Sequence, residues 1–137
     1  MNVSEIMTRE VITIEVDEHL RKARHLFAQH GFHHLPVVEG RKLVGVISDR
    51  DLLRSVSPFI SKLSERTQDM ATLNRRVHQI MTRKLVTVSR EATVEDAAQV
   101  MLENHVSCLP VVTEDRRAAG IVTWRDLMRA LCDPARK

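Results

Sequence analysis

The chain has 137 residues, of which 43% are hydrophobic and 28% charged, and its formal net charge is +3. This balance is typical of one globular domain and excludes an extended disordered chain. No apolar run approaches the ~18 residues of a membrane-spanning helix, so we expect no membrane association. The residues Met1 to Met7 lack the basic segment and apolar core of a signal peptide, which favours the cytoplasm. Aromatic residues make up only 3% of the chain, so the positive charge lacks the stacking platform of a single-strand nucleic-acid binder and argues against nucleic acid as a partner.

A repeat sets the order of the predicted elements. The segment Ile6–Arg9 returns as Ile80–Arg83, and 81 − 7 gives an offset of 74 residues between the two methionines. Self-similarity at a fixed offset indicates that one supersecondary unit is used twice. We expect a first unit over 1–56, a connecting helical segment over 57–79 and a second unit over 80–133.

Each predicted unit opens with a short strand followed by a helix. Val11–Ile14 and Leu85–Val88 are rich in β-branched residues, which favours strands. The helix that follows has apolar residues at a 3.6-residue period and therefore one buried stripe. Asp17 and Thr93 are candidate N-caps of the two helices. The stripe consists of Leu20, Ala23, Leu26 and Phe27 in the first copy and of Val94, Ala97, Val100 and Met101 in the second.

Two further strands and a closing helix complete each unit. Leu35–Val38 and Leu109–Val112 are predicted strands, and their prolines must stand at a strand start or an edge because proline has no N–H to donate. A polar turn leads to a second strand, which would form a hairpin with the first and end where the closing helix begins, at Ser48 or Thr123. Each unit thus has the order β-α-β-β-α, a mixed α/β fold, and we expect two pseudo-symmetric units packed sheet to sheet.

The connecting segment is predicted to be a helix and not a flexible tether. After the breaker Ser57-Pro58, apolar residues recur at helical spacing. They are Met70, Leu73, Val77 and Ile80.

The closing helix of each copy starts with a hydroxyl residue followed three positions later by an aspartate. The two pairs are Ser48 with Asp51 and Thr123 with Asp126. One interpretation is structural, because a hydroxyl at the N-cap and an acid at the third helical position form a capping box. The other is functional, because N–H groups at a helix start attract phosphate and a carboxylate can hold two ribose hydroxyls. One pair can serve both roles.

Three motifs occur twice in the same order: Met-Thr, Leu-Pro-Val-Val, and Gly-apolar-apolar-Ser/Thr-x-x-Asp. In these motifs nearly the whole chain resembles a tandem pair of CBS domains, also called a Bateman module. The resemblance implies regulatory binding of adenosine compounds such as AMP, ADP or ATP in clefts between the two units, as in regions of inosine monophosphate dehydrogenase and the γ subunit of AMP-activated protein kinase. It implies no required cofactor, and we expect no attached catalytic domain.

The resemblance also implies the residues of each cleft. Besides the hydroxyl and aspartate pair, they are the threonine of Met-Thr, the strand residues after it and the segment before Leu-Pro-Val-Val. The first cleft would comprise Thr8, Val11, Ile12, Phe32, His33, His34, Ser48 and Asp51, and the second Thr82, Leu85, Val86, Val106, Ser107, Cys108, Thr123 and Asp126. Apolar side chains would sandwich the adenine. Because His33-His34 could face a phosphate whereas Ser107-Cys108 carries no positive charge, we expect two non-equivalent clefts.

Other chemistry finds less support. His25, His30, His33 and His34 crowd one segment, but a helix and a strand divide them and no cysteine is near, so solvated or phosphate-facing histidines are favoured over a zinc site. Packing is favoured over base stacking for Trp124. Neither a nucleophile at a diagnostic spacing from His and Asp nor a P-loop is present, so we expect no enzyme.

The two cysteines fit a reducing compartment. Cys108 stands in an apolar run, and Cys132 has no histidine or acid at a ligand spacing. We therefore expect neither a structural disulfide nor a metal site from them.

Two functions remain open, and nucleic-acid binding is a weaker third that rests on charge alone. The first is a stand-alone sensor, whose occupancy by an adenosine nucleotide changes the arrangement of a homodimer and so regulates a partner protein in trans. The second is a ligand-free scaffold that only dimerises. In both, the expected dimer surface lies around Leu52-Leu53 and Leu127-Met128 with Leu131, because one compact unit does not cover these apolar residues.

Overall fold

The computed structural model describes residues 1–55 and 73–132. Most of the predicted connecting helix therefore lies outside the described residues, and its last part is a short 3-10 helix. The chain divides into two compact units. The first-repeat unit comprises Ile12–Gly40 and Val44–Leu85, and the second-repeat unit comprises Met1–Val11, Arg41–Leu43 and Val86–Lys137.

The order β-α-β-β-α is confirmed in both copies. In chain order the elements are α1 (Val3–Ile6), β1 (Ile14–Glu15), α2 (Leu20–His30), β2 (His34–Glu39), β3 (Lys42–Ser48), α3 (Asp49–Ser55), the 3-10 helix (Val77–Gln79), β4 (Val88–Ser89), α4 (Val94–Asn104), β5 (Cys108–Val112), β6 (Ala118–Thr123) and α5 (Trp124–Cys132). Within the described ranges, every helix is too short or too polar to cross a membrane.

The strands form two three-stranded sheets, ordered β1-β2-β3 and β4-β5-β6. β1 is parallel to β2 and β4 is parallel to β5, because a helix separates the members of each pair along the chain. β5 and β6 are antiparallel, as expected for strands joined by a short polar turn. The predicted fold class, a mixed α/β chain, is confirmed.

The opening strands are shorter than predicted. Of Val11–Ile14 only Ile14 belongs to a strand, and of Leu85–Val88 only Val88 does. Their ladders begin at those residues, opposite Val37 and Val111. The earlier residues of each segment have no place in this register.

The short opening strands explain where the prolines stand. Pro36 and Pro110 lie within β2 and β5, which are the central strands of their sheets, so the prediction of a strand start or an edge was wrong. Each proline directly precedes the first residue that pairs with the opening strand, Val37 or Val111. The ladder with the opening strand therefore does not need a hydrogen bond from the proline nitrogen.

Each unit has its own hydrophobic core, and the predicted helix stripe contributes to both. Leu20, Ala23 and Phe27 of α2 are buried in the first-repeat core, and Ala97 and Met101 of α4 in the second-repeat core. Because these positions recur every three or four residues, one face of each helix is covered by its own sheet.

Of the two predicted caps, one is confirmed and one was wrong. Thr93 caps α4, since its Oγ1 accepts the N–H of Asp96 at 3.0 Å. Asp17 does not cap α2, which has no side-chain cap. The N–H of Leu20 donates instead to the carbonyl of Arg75 at 2.9 Å, so a contact distant in sequence satisfies the first turn.

Each compact unit is completed by the opening segment of the other repeat. Thr8 forms an antiparallel bridge with Ile121, in which the Thr8 N–H donates at 2.9 Å and the Ile121 N–H at 3.0 Å. Thr82 forms the equivalent bridge with Val46, with N–H to carbonyl distances of 2.9 and 3.1 Å. The sequence repeat and the compact unit therefore do not coincide.

A glycine permits each of these contacts. A Cβ on Gly45 would lie 2.7 Å from Sδ of Met81 and 2.9 Å from the carbonyl oxygen of Thr82. Gly120 has the same relation to Met7. The glycine that starts each Gly-apolar-apolar-Ser/Thr-x-x-Asp motif is thus required by the close approach of the opening segment.

Candidate functional site

The hydroxyl and aspartate pairs form capping boxes at the starts of α3 and α5. At α3, the N–H of Ser48 donates to Oδ2 of Asp51 at 2.9 Å and the N–H of Asp51 donates to Oγ of Ser48 at 3.1 Å. At α5, the N–H of Thr123 donates to Oδ2 of Asp126 at 2.8 Å, and the return bond to Thr123 is 3.4 Å long. The structural interpretation of both pairs is therefore confirmed.

The second carboxylate oxygen differs between the two boxes. Oδ1 of Asp51 has no hydrogen-bond or ion-pair partner among the described residues, although the carboxylate interacts electrostatically with His34. Oδ1 of Asp126 lies 3.7 Å from a guanidinium nitrogen of Arg129. The capping box therefore uses only one oxygen of Asp51 and leaves the other able to accept a ligand hydroxyl. Sequence reasoning missed Arg129, although its spacing of three residues from Asp126 on one helix is a signal for such a pair.

The segment before Leu-Pro-Val-Val contacts the same helix start. In the first-repeat unit the N–H of Asp49 donates to the carbonyl of His33 at 3.0 Å, and Nδ1 of His33 lies 2.7 Å from Oδ2 of Asp49. In the second-repeat unit the N–H of Trp124 donates to the carbonyl of Ser107 at 3.0 Å. Trp124 and Ser107 occupy the places of Asp49 and His33. Among the described residues, the pair of imidazole and carboxylate is therefore found in the first-repeat unit and not in the second-repeat unit. Sequence reasoning also missed Asp49.

Burial sets the protonation of two predicted site residues. Desolvation lowers the pKa of the half-buried His34 below its ordinary value, and the nearby carboxylates of Asp49 and Asp51 oppose this effect. Burial raises the pKa of the Cys108 thiol to about 12. At neutral pH Cys108 is therefore a neutral thiol inside the second-repeat unit, and neutral imidazole is favoured at His34.

The compact units group the predicted site residues differently from the sequence repeats. The first-repeat unit holds the predicted residues Ile12, Phe32, His33, His34, Ser48, Asp51, Thr82 and Leu85. The second-repeat unit holds Thr8, Val11, Val86, Val106, Ser107, Cys108, Thr123 and Asp126. Through its bridge to Val46, Thr82 lies beside the strand that ends at Ser48, and Thr8 lies beside the strand that ends at Thr123. The assignment of these residues to a ligand stays a prediction.

The crowded histidines do not converge. His33 pairs with Asp49, and the ring of His30 packs edge-on against Phe32 with centroids 5.3 Å apart. In the part of the chain that the structure describes, no group of three or more His, Cys, Asp or Glu residues is arranged to hold a metal ion.

Each unit also has a groove between its two long helices. The first-repeat groove, of about 430 Å³, lies between α2 and α3 and is lined by residues that include Phe27, Phe32 and Leu53. The second-repeat groove, of about 650 Å³, lies between α4 and α5 and includes Leu102 and Leu131.

The grooves expose several large apolar side chains. The exposed fractions are 70% for Leu53, 71% for Leu102, 49% for Met128 and 75% for Leu131. Leu52 differs from the prediction, because it is only 8% exposed and belongs to the first-repeat core. Trp124 lines the second-repeat groove and is 51% exposed, with the guanidinium of Arg125 5.7 Å from its ring.

Comparison with known proteins identifies both repeats. The profile of the CBS domain matches residues 3–58 and 77–133. An uncharacterised protein of Methanocaldococcus jannaschii is 30% identical, over 96% of this chain and 91% of its own length. A CBS domain-containing protein of Dictyostelium discoideum is 34% identical, over 94% of this chain and 90% of its own.

Other relatives are longer proteins. The inosine-5'-monophosphate dehydrogenase of Korarchaeum cryptofilum is 34% identical over 87% of this chain, which spans only 22% of that enzyme. The chain spans 46% of another Methanocaldococcus jannaschii protein that is 29% identical. The chain therefore corresponds to only part of each of these proteins.

Two solved structures match over almost their whole length. The CBS domain pair of protein MJ0100, in complex with 5'-methylthioadenosine and S-adenosyl-L-methionine, is 27% identical with a TM-score of 0.81 and coverage of 98% of both chains. CBSX2 in complex with AMP is 28% identical, also with a TM-score of 0.81 and coverage of 98% of both chains.

Proposed function

Because the chain belongs to the CBS domain family, with one CBS repeat on each side of its middle segment, we propose that it is a regulatory module that binds an adenosine-containing ligand beside the hydroxyl and aspartate pairs. Two CBS pairs of nearly the same extent, crystallised with AMP or with S-adenosyl-L-methionine and 5'-methylthioadenosine, support the ligand class. All three ligands contain adenosine, which offers a ribose and an adenine ring.

The observation that carries the proposal concerns the carboxylate of Asp51, of which the capping box engages only one oxygen. Its Oδ2 holds the backbone N–H of Ser48, which fixes the side-chain orientation. Its Oδ1 has no partner among the described residues, and a charged acceptor of fixed direction suits the hydroxyls of a ribose. The capping box between Thr93 and Asp96 also engages one carboxylate oxygen only, so the free oxygen of Asp51 supports the proposal together with the ligands of the two similar CBS pairs.

The two pairs are proposed to differ in affinity, with the first-repeat pair binding more tightly. At Asp126 a ligand hydroxyl must compete with the guanidinium of Arg129, 3.7 Å from Oδ1. At Asp51 no such cation stands in the described part of the chain. The imidazole of His33, next to the helix start, adds a group that can donate to a phosphate when protonated.

Signalling is proposed to run through a homodimer formed by the two grooves. Leu53, Leu102 and Leu131 are each 70% or more exposed, and burial of such side chains favours association. A ligand that binds one dimer arrangement more tightly than another shifts their populations, and a partner protein that recognises one arrangement is thereby regulated.

The same exposed residues favour a second candidate function, a ligand-free scaffold. The second-repeat groove is larger than the first and carries most of the exposed apolar side chains. A scaffold would use this groove for assembly and leave Asp51 as a cap alone.

Thermal unfolding with added ligand separates the two functions. AMP, ADP, ATP, S-adenosyl-L-methionine, 5'-methylthioadenosine and GTP are added separately to the whole chain. A ligand at ~100 times its Kd stabilises the native state by about 2.7 kcal/mol, which raises the Tm by several degrees in a domain of this size. A rise with adenosine compounds and not with GTP supports the sensor. No rise with any of them contradicts it and leaves the scaffold.

A further inference from the structure

Five lysine and arginine residues cluster where the start of α2 meets the segment 74–76. The backbone joins the two segments, because Arg76 forms an antiparallel bridge with His19 and the N–H of Leu20 donates to the carbonyl of Arg75 at 2.9 Å. Residues 17–25 and 74–76 contain these five cations against two acids, and all five cations are exposed. They form one surface, the basic face, which consists of Arg21, Lys22, Arg24, Arg75 and Arg76.

Two guanidinium groups of the basic face are held in place by uncharged oxygens. Arg21 donates to the side-chain oxygen of Asn74 at 3.1 Å, and Arg76 donates to the carbonyl of Asp17 at 2.6 Å. A guanidinium has five N–H donors in a fixed fork, so both groups keep donors for a further acceptor. These bonds fix the two groups and leave their positive charge in place.

Only one cation of the basic face is paired with a carboxylate in the described part of the chain. Lys22 lies 3.4 Å from Oε1 of Glu18. The side chains of Arg24 and Arg75 have neither a hydrogen-bond nor an ion-pair partner among residues 1–55 and 73–132. The basic face therefore presents four guanidinium groups without a carboxylate partner in those ranges.

The second-repeat unit forms the same backbone arrangement. The N–H of Val94 donates to the carbonyl of Met1 at 3.1 Å, and Asn2 forms an antiparallel bridge with Thr93. These contacts repeat, at the offset of 74 residues, the two backbone contacts that join the segments of the basic face. The two surfaces can therefore be compared position by position.

The comparison shows that the cations are not needed for folding. Residues 1–2 and 91–99, the counterpart of the basic face, contain three acids and no lysine or arginine. Like charges one helical turn apart, such as those of Arg21 and Arg24, oppose helix formation slightly. Binding of an anionic partner therefore explains the basic face better than stability does.

We infer that the basic face binds an acidic segment of the protein that this chain regulates. The inference rests on the regulation of a partner proposed above and names the chemistry of the contact. Guanidinium groups bind carboxylates through paired N–H donors, and those of Arg21 and Arg76 are already held in place. The acidic counterpart repels the same segment, so the partner binds the first-repeat unit and not the second.

The basic face suits a nucleic acid less well. Residues 17–25 and 74–76 contain no phenylalanine, tyrosine or tryptophan, so unpaired bases have no ring to stack on. Asp17 and Glu18 lie among the cations and would repel the regularly spaced phosphates of a duplex. A flexible peptide can place its carboxylates away from both acids.

Fluorescence anisotropy with a labelled peptide of glutamates tests the contact. The peptide is added to the whole chain without any adenosine compound, at low and at physiological salt. It should bind with a Kd below about 1 mM at low salt, and the Kd should rise with salt because exposed charges are screened.

Charge reversal locates the peptide. Arg24→Glu and Arg75→Glu should each raise the Kd by about fivefold. Arg24→Gln and Arg75→Gln remove the charge alone and answer the same question if a reversal unfolds the chain. Arg90→Glu is the matched control, because it makes the same change in net charge at an exposed residue of the second-repeat unit. It should leave the Kd within about twofold of that of the unmodified chain.

Three results would overturn the inference. They are no binding of the peptide at low salt, an equal loss of affinity in Arg90→Glu, and tighter binding of a short DNA duplex than of the peptide with losses in the variants of Arg24 and Arg75. The last result would assign the basic face to a phosphate backbone. Because the measurement contains no adenosine compound, its failure leaves the proposed ligand binding intact. A chain that binds the peptide but shows no thermal shift keeps this contact and loses the sensor.

Discussion

Asp51 accepts the backbone N–H of Ser48 through one carboxylate oxygen only, at 2.9 Å, and its other oxygen has no partner within the described residues. The structural and the proposed functional roles of this aspartate thus fall on different atoms of one side chain. The two roles are distinguished by measuring unfolding free energy and ligand affinity on the same variant and on a variant of another capping box.

Asp51→Ala should lower both stability and ligand affinity. Loss of the capping bond costs about 0.5 to 2 kcal/mol of unfolding free energy, and loss of a charged acceptor for ribose costs about 1.5 to 3 kcal/mol of binding free energy. Urea unfolding and calorimetric titration with AMP measure the two quantities. The matched control is Asp96→Ala, which removes an equivalent capping box between Thr93 and Asp96 that is not among the proposed ligand contacts. If both variants bind AMP like the unmodified chain, Asp51 is a cap alone.

Gly45→Ala should destabilise the chain by about 1 to 3 kcal/mol, the usual cost of overpacking. The added Cβ would lie 2.9 Å from a backbone carbonyl oxygen, that of Thr82, which cannot move aside as a side chain can. Gly120→Ala should behave in the same way, since its Cβ would lie 2.7 Å from the carbonyl oxygen of Thr8. Urea unfolding checks both, and an unchanged midpoint for either variant would mean that the opening segment does not pack so closely.

His34 should make the chain less stable on the acid side of neutrality. Burial lowers its folded pKa below the ordinary value of 6.5, so between those two values the unfolded chain binds more protons than the folded one. Stability then rises with pH across this window and falls as the pH drops through it. His34→Gln should flatten this part of the curve of unfolding free energy against pH, whereas the exposed His25→Gln should leave it as it is. An equal slope in all three proteins would exclude His34 as the source.

The two cysteines should differ sharply in reactivity. Burial raises the pKa of Cys108 to about 12, so almost no thiolate forms at neutral pH, while Cys132 is exposed. Mass spectrometry after treatment with iodoacetamide at pH 8 should find one modified cysteine in the native chain and two after denaturation in urea. Rapid native labelling of Cys108 would show that the end of β5 opens readily.

The sequence correctly predicted the features of the fold that depend on residues close together in the chain. The stripe of Leu20, Ala23 and Phe27 and the capping box at Thr93 both depend on residues within one or two helical turns, and both are confirmed. The start of α2 is different, because its first N–H is satisfied by Arg75, and nothing near Leu20 in sequence indicates this contact.

The same limit applies to the candidate site. The spacing of Ser48 and Asp51 predicted their mutual contact, because the two residues share one helix turn. The pairing of Thr82 with Val46 could not be predicted, since an offset between two copies does not say which copy an opening segment joins. The pair of His33 and Asp49 was also missed. His33 directly precedes β2, whereas Asp49 directly follows β3 and starts α3, so the sequence does not show that the two side chains meet.

Thr8 bridges to Ile121 and Thr82 bridges to Val46, so each compact unit contains residues of both sequence repeats. One sequence repeat alone is therefore not a complete compact unit. A polypeptide that consists of a single repeat would have a β-sheet without the edge contact that the opening segment of the other repeat supplies. If two such polypeptides were expressed together, the opening segment of each would have to pair with the sheet of the other.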